Sequence, residues 1–227
     1  MDIHRPKAAH SVREFLIEIG TIICGILIAV GLEQVVEAGH RSAEVREARE
    51  ALREEVKDNV SILAFGIEED KCLLSKVEAF AAWARGGSKP RELTTSLGEY
   101  GSSTWDTVKM SAVPHMPLGE RRGLAAFYDA LANQNKVVDI QRASSLILKG
   151  ALERDTLDRE DTRRVLDAVA TERLLTNIHI SNATSLLRGV EAFGIKAPPL
   201  TSVQKFRIEA LCGHRPAPSP VGRNNTP

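Results

Sequence analysis

The sequence IGTIICGILIAVGL, residues 19–32, contains no charged residue, whereas 26% of the whole chain is Asp, Glu, Lys or Arg. As a helix this stretch extends roughly 21 Å, which is shorter than the bilayer hydrocarbon core of about 30 Å. The wider window of residues 15–36 extends about 33 Å, and its only charged members, Glu18 and Glu33, lie near its ends. The sequence therefore predicts a membrane-spanning helix.

A helix-capping motif marks the start of this helix. Ser11-Val12-Arg13-Glu14 is a capping box, in which serine and glutamate side chains accept hydrogen bonds from each other's backbone N–H groups. We predict a transmembrane helix over residues 12–38, preceded by a short polar tail at 1–11. Gly39 and Gly66 are weak points at which the helix could break.

A cleaved signal peptide is the alternative interpretation of the same segment. Arg5, Lys7 and Arg13 would form its basic region, residues 19–32 its apolar core, and Ala38 the small residue before the cut. Acidic residues within the cleavage region and an amphipathic pattern that continues through it favour the anchor. The sequence leaves both interpretations open.

Small side chains recur along one ridge of the predicted span. Thr21, Gly25 and Ala29 are spaced by four residues, and Gly20 with Cys24 forms a second pair at the same spacing. Such ridges let two transmembrane helices approach closely, so this face predicts a homodimer through the span. The alternative is that glycine and alanine are simply common in spans.

Membrane orientation depends on basic residues beside the span, and three lie on each side: Arg5, Lys7 and Arg13 before it, and Arg41, Arg46 and Arg49 after it. The N-terminal side also has the free amine. The other side begins with Glu33 and Glu37, with no cation until Arg41. This asymmetry favours a cytoplasmic N-terminus and an exported, periplasmic C-terminal domain.

The rest of the chain is patterned as helices. Apolar periodicity predicts helices at 34–65, 68–85, 103–110, 118–152 and 158–193, and a Thr201-Ser202-Val203-Gln204 capping box begins another that runs through Leu211. Aromatic content is only 4% and no β-alternation competes. We predict an all-α fold: a transmembrane helix continuing into an up-and-down helical bundle at 39–212, then a disordered tail at 213–227.

The helix at 158–193 has a predicted apolar side. It consists of aliphatic residues at helical spacing: Val165, Leu166, Val169, Leu174, Ile178, Leu186, Leu187 and Val190. His179 on this helix is interpreted as a bundle residue satisfied by a neighbour.

Several motifs together resemble a family of uncharacterised bacterial proteins that have one N-terminal span and a helical domain of unknown function. The resemblance covers roughly residues 12–150. It rests on Arg13-Glu14-Phe15-Leu16-Ile17-Glu18-Ile19, Gly25, Ala29, Leu52-Arg53-Glu54-Glu55-Val56, Asn59, Thr104-Trp105-Asp106 and Tyr128. The resemblance implies a single-pass protein of the bacterial inner (plasma) membrane and supplies no activity or catalytic residue.

The sequence contains no recognisable catalytic, metal-binding or nucleotide-binding motif. The histidines never pair at helical ligand spacing, so no metal site is predicted, and no phosphate-loop, dinucleotide or hydrolase signature occurs. We predict no enzyme activity, no catalytic residue and no cofactor. The net charge of zero argues against nucleic acid as a partner.

Two residue pairs have both a functional and a structural interpretation. Trp105 and His115 could line a cleft between helices, although a tryptophan that anchors the connecting loop is the favoured interpretation. Cys72 and Cys212 could form a disulfide if the domain is exported, but no cysteine framework is present, so two separate thiols are favoured.

Two functions fit this architecture. The first is a membrane-anchored helical interaction or scaffold protein, with the lipid bilayer, a second copy and an unidentified protein as partners. The second is a ligand-sensing or small-molecule-binding helical module at the membrane. A well-filled bundle would favour the first, and a lined cavity near Trp105 and His115 would favour the second.

Overall fold

The computed structural model describes residues 12–95, 98–191 and 194–213. All regular elements in these ranges are helical, which confirms the all-α prediction: α1 Val12–Ala84, α2 Ser103–Val108, α3 Leu118–Leu152, α4 Arg159–Glu191 and α5 Ser202–Cys212, with a 3-10 turn at Val113–His115. The tail predicted at 1–11, and the part of the predicted tail after Gly213, lie outside the described residues.

The first helix, α1, contains both the apolar segment and the first helix of the bundle. It has 73 residues and is about 110 Å long. Its N-terminal part is long and apolar enough to cross a membrane, and none of that window is buried within the protein. Gly39 and Gly66, predicted as weak points, both lie within unbroken helix, since one glycine costs a helix only about 1 kcal/mol.

The three long helices do not follow a simple up-and-down order. Arg49 of α1 pairs with Glu120 in the first turn of α3. The part of α1 that lies in the bundle and α3 therefore begin at the same end of the bundle. Arg173 of α4 pairs instead with Glu78, near the end of α1. Thus α3 and α4 are antiparallel, as predicted, but α1 and α3 are parallel because an irregular segment at residues 85–117 carries the chain back.

Two asparagine side chains hold this returning segment between α1 and α3. Asn59 of α1 exchanges two hydrogen bonds with the backbone of Gly101, at 2.8 and 2.9 Å. Asn135 of α3 does the same with the backbone of Tyr100, at 3.0 and 3.1 Å. These amides satisfy backbone groups that have no helical partner, which fixes the height at which the segment crosses the bundle.

The buried apolar side chains form two clusters. The first lies where α3 begins and includes Leu52, Val56, Phe127 and Leu131. The second lies towards the end of α1 and includes Phe80, Trp83, Leu148 and Val165. Between them the interior is largely polar.

Three predicted helix ends agree with the structure, whereas the ends predicted at residues 65 and 68 lie inside α1. Gly86 has a φ of 97° directly after α1, a backbone conformation that glycine adopts without strain. Thr201 and Gln204 form the predicted capping box of α5. At α4, the Asp158 carboxylate accepts hydrogen bonds from the N–H groups of Glu160 and Asp161, both at 2.8 Å.

The last helix, α5, is fixed to the side of α1. Cys72 and Cys212 are joined by a disulfide, with their Cα atoms 5.0 Å apart and 140 positions between them in the chain. Arg207 lies over the ring of Phe65 and pairs with Glu69 at 3.5 Å. The interpretation of two separate thiols is therefore wrong, because α5 folds back onto α1 and brings the cysteines together.

The buried face of α4 differs from its predicted apolar side. Leu174 is 61% exposed, whereas Glu172, Thr176 and His179 are buried. The prediction is wrong at this point because the inward residues of this turn are polar, so aliphatic spacing does not mark its buried face.

Candidate ligand groove and buried polar layer

The predicted packing face of the span lies on the exposed part of α1. Gly20 and Gly25 have open space where a side chain would begin, and Cys24 is an exposed free thiol. The Thr21 hydroxyl donates to the carbonyl of Ile17 at 2.8 Å. Thr21, Gly25 and Ala29 share one exposed ridge, so the dimer face stays a prediction.

The two residues of the predicted cleft are separated by the turn that follows α2. Trp105 is half-buried and stacks on Tyr128, with ring centroids 4.8 Å apart and planes 10° apart. His115 is exposed in the 3-10 turn. Trp105 packs against the first apolar cluster, in keeping with its interpretation as an anchor of the connecting segment.

A different lined space lies between the three long helices. A groove of about 880 Å³ is lined by one face each of α1, α3 and α4, together with Ile195. Apolar and small side chains dominate this lining: Leu52, Val56, Gly123, Leu124, Ala126, Phe127, Ala130, Leu186, Gly189 and Val190. Neither Trp105 nor His115 takes part. The volume falls in the range of small-molecule pockets, about 300–1,000 Å³.

Three charged side chains also line the groove. The Arg49 guanidinium donates from Nε and Nη2 to the two carboxylate oxygens of Glu120, at 2.6 and 2.8 Å. Arg53, one turn further along α1, has no hydrogen-bond or ion-pair partner among the described residues. Because Glu120 is already paired, Arg53 leaves a positive charge beside an apolar surface.

A second polar arrangement is enclosed in the bundle. His179 Nδ1 lies 2.5 Å from Asp70 Oδ2, and His179 Nε2 lies 2.6 Å from the Tyr100 hydroxyl. A neutral imidazole with its proton on Nδ1 donates to Asp70 and accepts from Tyr100, which satisfies all three groups. Burial raises the pKa of Asp70, and the hydrogen bond from His179 opposes that rise. Burial likewise raises the pKa of Tyr100.

Gly66 makes this arrangement possible. A Cβ atom at this position would lie 3.3 Å from His179 Cε1 and 3.8 Å from the Tyr100 hydroxyl. The glycine predicted as a weak point of the helix therefore provides room for the imidazole. Asp70, Tyr100 and His179 are each only 5% exposed, and the cavity beside Asp70 measures about 10 Å³, so a substrate has no access.

The polar layer continues between α3 and α4. The Ser145 hydroxyl donates to Glu172 Oε1 at 2.5 Å, and Gln141 donates to the Thr176 hydroxyl at 3.1 Å. Gln134 donates to the carbonyl of His179 at 3.2 Å. Burial raises the pKa of Glu172, and the hydrogen bond from Ser145 opposes the rise.

Glu55 of α1 organises the connecting segment. Its carboxylate accepts hydrogen bonds from the N–H groups of Thr104 and Trp105, at 2.7 and 3.2 Å, and from the Tyr128 hydroxyl at 2.7 Å. It thus caps α2, whose own N-cap residue makes no side-chain cap. Burial raises the pKa of Glu55, but these hydrogen bonds together hold that pKa below its usual value.

Metal ligation has no candidate in the part of the chain that the structure describes, where no three His, Cys, Asp or Glu residues are grouped to hold an ion. Sequence reasoning found neither the groove nor the polar layer. The groove combines residues from three helices, and the signal that could have revealed the layer is the set of polar residues at inward positions of α4: Glu172, Thr176 and His179.

Comparison of the chain with protein-family models, with curated proteins and with solved structures finds no match. The resemblance to bacterial single-pass proteins therefore stays a prediction from the residues that carry it.

Proposed function

We propose that this protein is a membrane-anchored helical interaction or scaffold protein. Its apolar segment fixes the bundle at a bacterial inner membrane, and the bundle binds a second copy or another protein. One observation carries the proposal: α1 passes without a break from an exposed apolar segment into the bundle, where Leu52 and Val56 are buried. The protein acts by binding, and its buried histidine stabilises the fold.

Crosslinking in native membranes tests this function. Full-length tagged protein, treated with a lysine-reactive crosslinker before solubilisation, is expected to give reproducible crosslinks from the bundle to one protein or to a second copy. A protein of the same abundance with an unrelated anchored domain serves as the control. A chain that purifies uncrosslinked and monomeric at native abundance would overturn the proposal.

The disulfide between Cys72 and Cys212 supports a periplasmic bundle. Disulfides persist in oxidising compartments and are rare in the cytosol. Together with the basic N-terminal residues, this favours a cytoplasmic N-terminus. Alkaline phosphatase fused after Pro227 is expected to be active and a fluorescent protein there dark. The reverse pattern contradicts this orientation.

Cleavage after Ala38 would convert the anchor into a signal peptide. Intact-mass measurement of the membrane fraction distinguishes the two outcomes, because the anchored form retains residues 12–38. A mature N-terminus at Gly39 would contradict the membrane-anchored proposal.

A ligand-binding module is the second candidate, and the groove favours it. The groove has the volume and the apolar lining typical of small-molecule sites, with a few polar groups at its edge. Its place differs from the cleft predicted at Trp105 and His115.

A further inference from the structure

We propose that the groove between α1, α3 and α4 binds a single-chain amphiphile with an anionic head, of the fatty-acid class. Its chain lies along the apolar floor and its carboxylate pairs with Arg53. This inference rests on the second candidate function, ligand binding, and is independent of the protein partner.

The floor of the groove is suited to an alkyl chain. Leu52, Val56, Phe127 and Val190 all line it, and their exposed fractions are between 1% and 6%. These side chains come from three different helices, so the floor is formed by the folded core. A bound acyl chain would cover the lining side chains that the bundle leaves partly exposed, Leu124, Leu186 and Ile195.

The charge at the groove selects the head group. Both oxygens of Glu120 accept from Arg49, so Glu120 is compensated. Arg53 lines the same groove and has no such partner among the described residues. A carboxylate fits this guanidinium in size and charge. An ammonium head would meet a like charge.

The position of the groove favours a ligand with one acyl chain over a ligand with two. Arg49, its lining residue nearest the membrane, follows Val36 by 13 positions, which is about 20 Å along α1. A ligand there lies beyond the headgroup layer and has to leave the bilayer. A single acyl chain binds membranes only marginally and reversibly, whereas two chains anchor stably. A fatty acid can therefore exchange between membrane and groove, and a diacyl lipid stays in the bilayer.

Photocrosslinking of the full-length chain in lipid nanodiscs tests the proposal. The probe is a palmitic acid analogue with a diazirine at mid-chain, and labelled peptides are identified by mass spectrometry. The comparison probes are the alkyl amine with the same diazirine and a phosphatidylglycerol that carries the same photoreactive chain. Residues 12–38 report contact with the bilayer, and residues 120–133 and 182–190 report the groove.

Two variants test the site. Arg53→Gln removes the cation from an exposed position, and Arg122→Gln is its matched control outside the groove lining. Gly189→Leu places a side chain in the groove, and no atom lies within 4 Å of the new Cβ. Labelling of the groove by the fatty acid is expected to fall about threefold in Arg53→Gln, the scale of one exposed ion pair. Gly189→Leu should abolish it, and Arg122→Gln should leave it unchanged.

Each contrary outcome overturns one part of the fatty-acid proposal. If the alkyl amine labels the groove as strongly as the fatty acid, or if Arg53→Gln has no effect, the claim of an anionic head group is overturned. Stronger groove labelling by phosphatidylglycerol than by the fatty acid overturns the claim that the ligand has a single acyl chain. Labelling confined to residues 12–38 overturns the site itself. Crosslinks to a protein partner are scored on the same variants, so failure of the groove leaves the interaction function standing, and the reverse also holds.

Discussion

Asp70 Oδ2 and His179 Nδ1 lie 2.5 Å apart although 109 positions separate the two residues in the chain. Both side chains are buried, and together they join α1 to α4 midway between the two apolar clusters. The contact ties α1 to α4, the helix that packs against both α1 and α3.

Replacing His179 by alanine should therefore destabilise the bundle strongly. His179→Ala leaves the carboxylate of Asp70 and the hydroxyl of Tyr100 buried without their imidazole partner. We expect a loss of about 2–6 kcal/mol in unfolding free energy, since each buried group left unsatisfied costs about 1–3 kcal/mol. Urea unfolding of the full chain, followed by tryptophan fluorescence, measures this. The exposed His115→Ala should change stability by less than about 0.5 kcal/mol; similar values for both would refute the structural role.

Glu172 should make the bundle less stable as pH rises. Burial raises its pKa above the ordinary value of 4.5, so the folded state binds this proton more tightly than the unfolded chain does. Its contribution is most favourable at low pH and is lost as pH rises through the folded pKa. Glu172→Gln should thus stabilise the protein at pH 7 by about 1 kcal/mol and leave it unchanged below pH 4. Exposed Glu153→Gln is the control, and equal effects at both pH values would contradict this linkage.

Glu55 should show the opposite pH dependence. Its pKa is lowered, so its stabilisation is present above 4.5 and is lost as pH falls through the folded pKa. Glu55→Gln is expected to cost about 1.5–3 kcal/mol at pH 7, the range for hydrogen bonds to a charged group. Thermal unfolding from pH 3 to 7 measures it. Exposed Glu50→Gln should follow wild type throughout, and a parallel loss there would point to general charge effects.

The disulfide predicts a specific thiol count. Maleimide-polyethylene glycol added to denatured, unreduced protein should modify Cys24 alone, and reduction should expose Cys72 and Cys212 as well. Cys72→Ser should lower stability by about 2–4 kcal/mol, because the crosslink restricts the unfolded chain. Cys24→Ser is the matched control. Three modified thiols without reductant would show that the bond is not formed in the cell.

The dimer face predicts weaker self-association when it is made bulky. Gly25→Leu combined with Ala29→Leu should reduce the signal of a membrane two-hybrid assay, because the two helices can no longer approach closely. Val30→Leu, on the other side of the helix, is the control. An unchanged signal in the double variant would remove the span as a dimer interface.

Local signals in the sequence predict helix ends well and long-range packing poorly. Gly86 and Thr201 specify their helix ends through backbone conformation and capping, which depend only on near neighbours. The sequence predicts that a neighbour satisfies His179 but does not identify Asp70 and Tyr100, because these residues come from distant segments of the chain. The pairing of Cys72 with Cys212 has the same origin, since it depends on where α5 docks.

The sequence does not reveal the groove for a related reason. Periodicity identifies Leu52 and Val56 as inward residues but does not show whether a facing helix fills the space beside them. Small residues such as Ala130 and Gly189 leave that space open. At the predicted cleft, the ring of Trp105 stacks on Tyr128 and His115 is exposed.

The unbroken helix α1 also has a mechanical consequence. A flexible linker would absorb motion of the apolar segment, whereas α1 is one continuous helix of 73 residues. Rotation of the apolar segment about the helix axis is therefore expected to rotate Glu55 and Asp70 as well. Such a rotation is thus expected to reach the side chains that hold the connecting segment and α4.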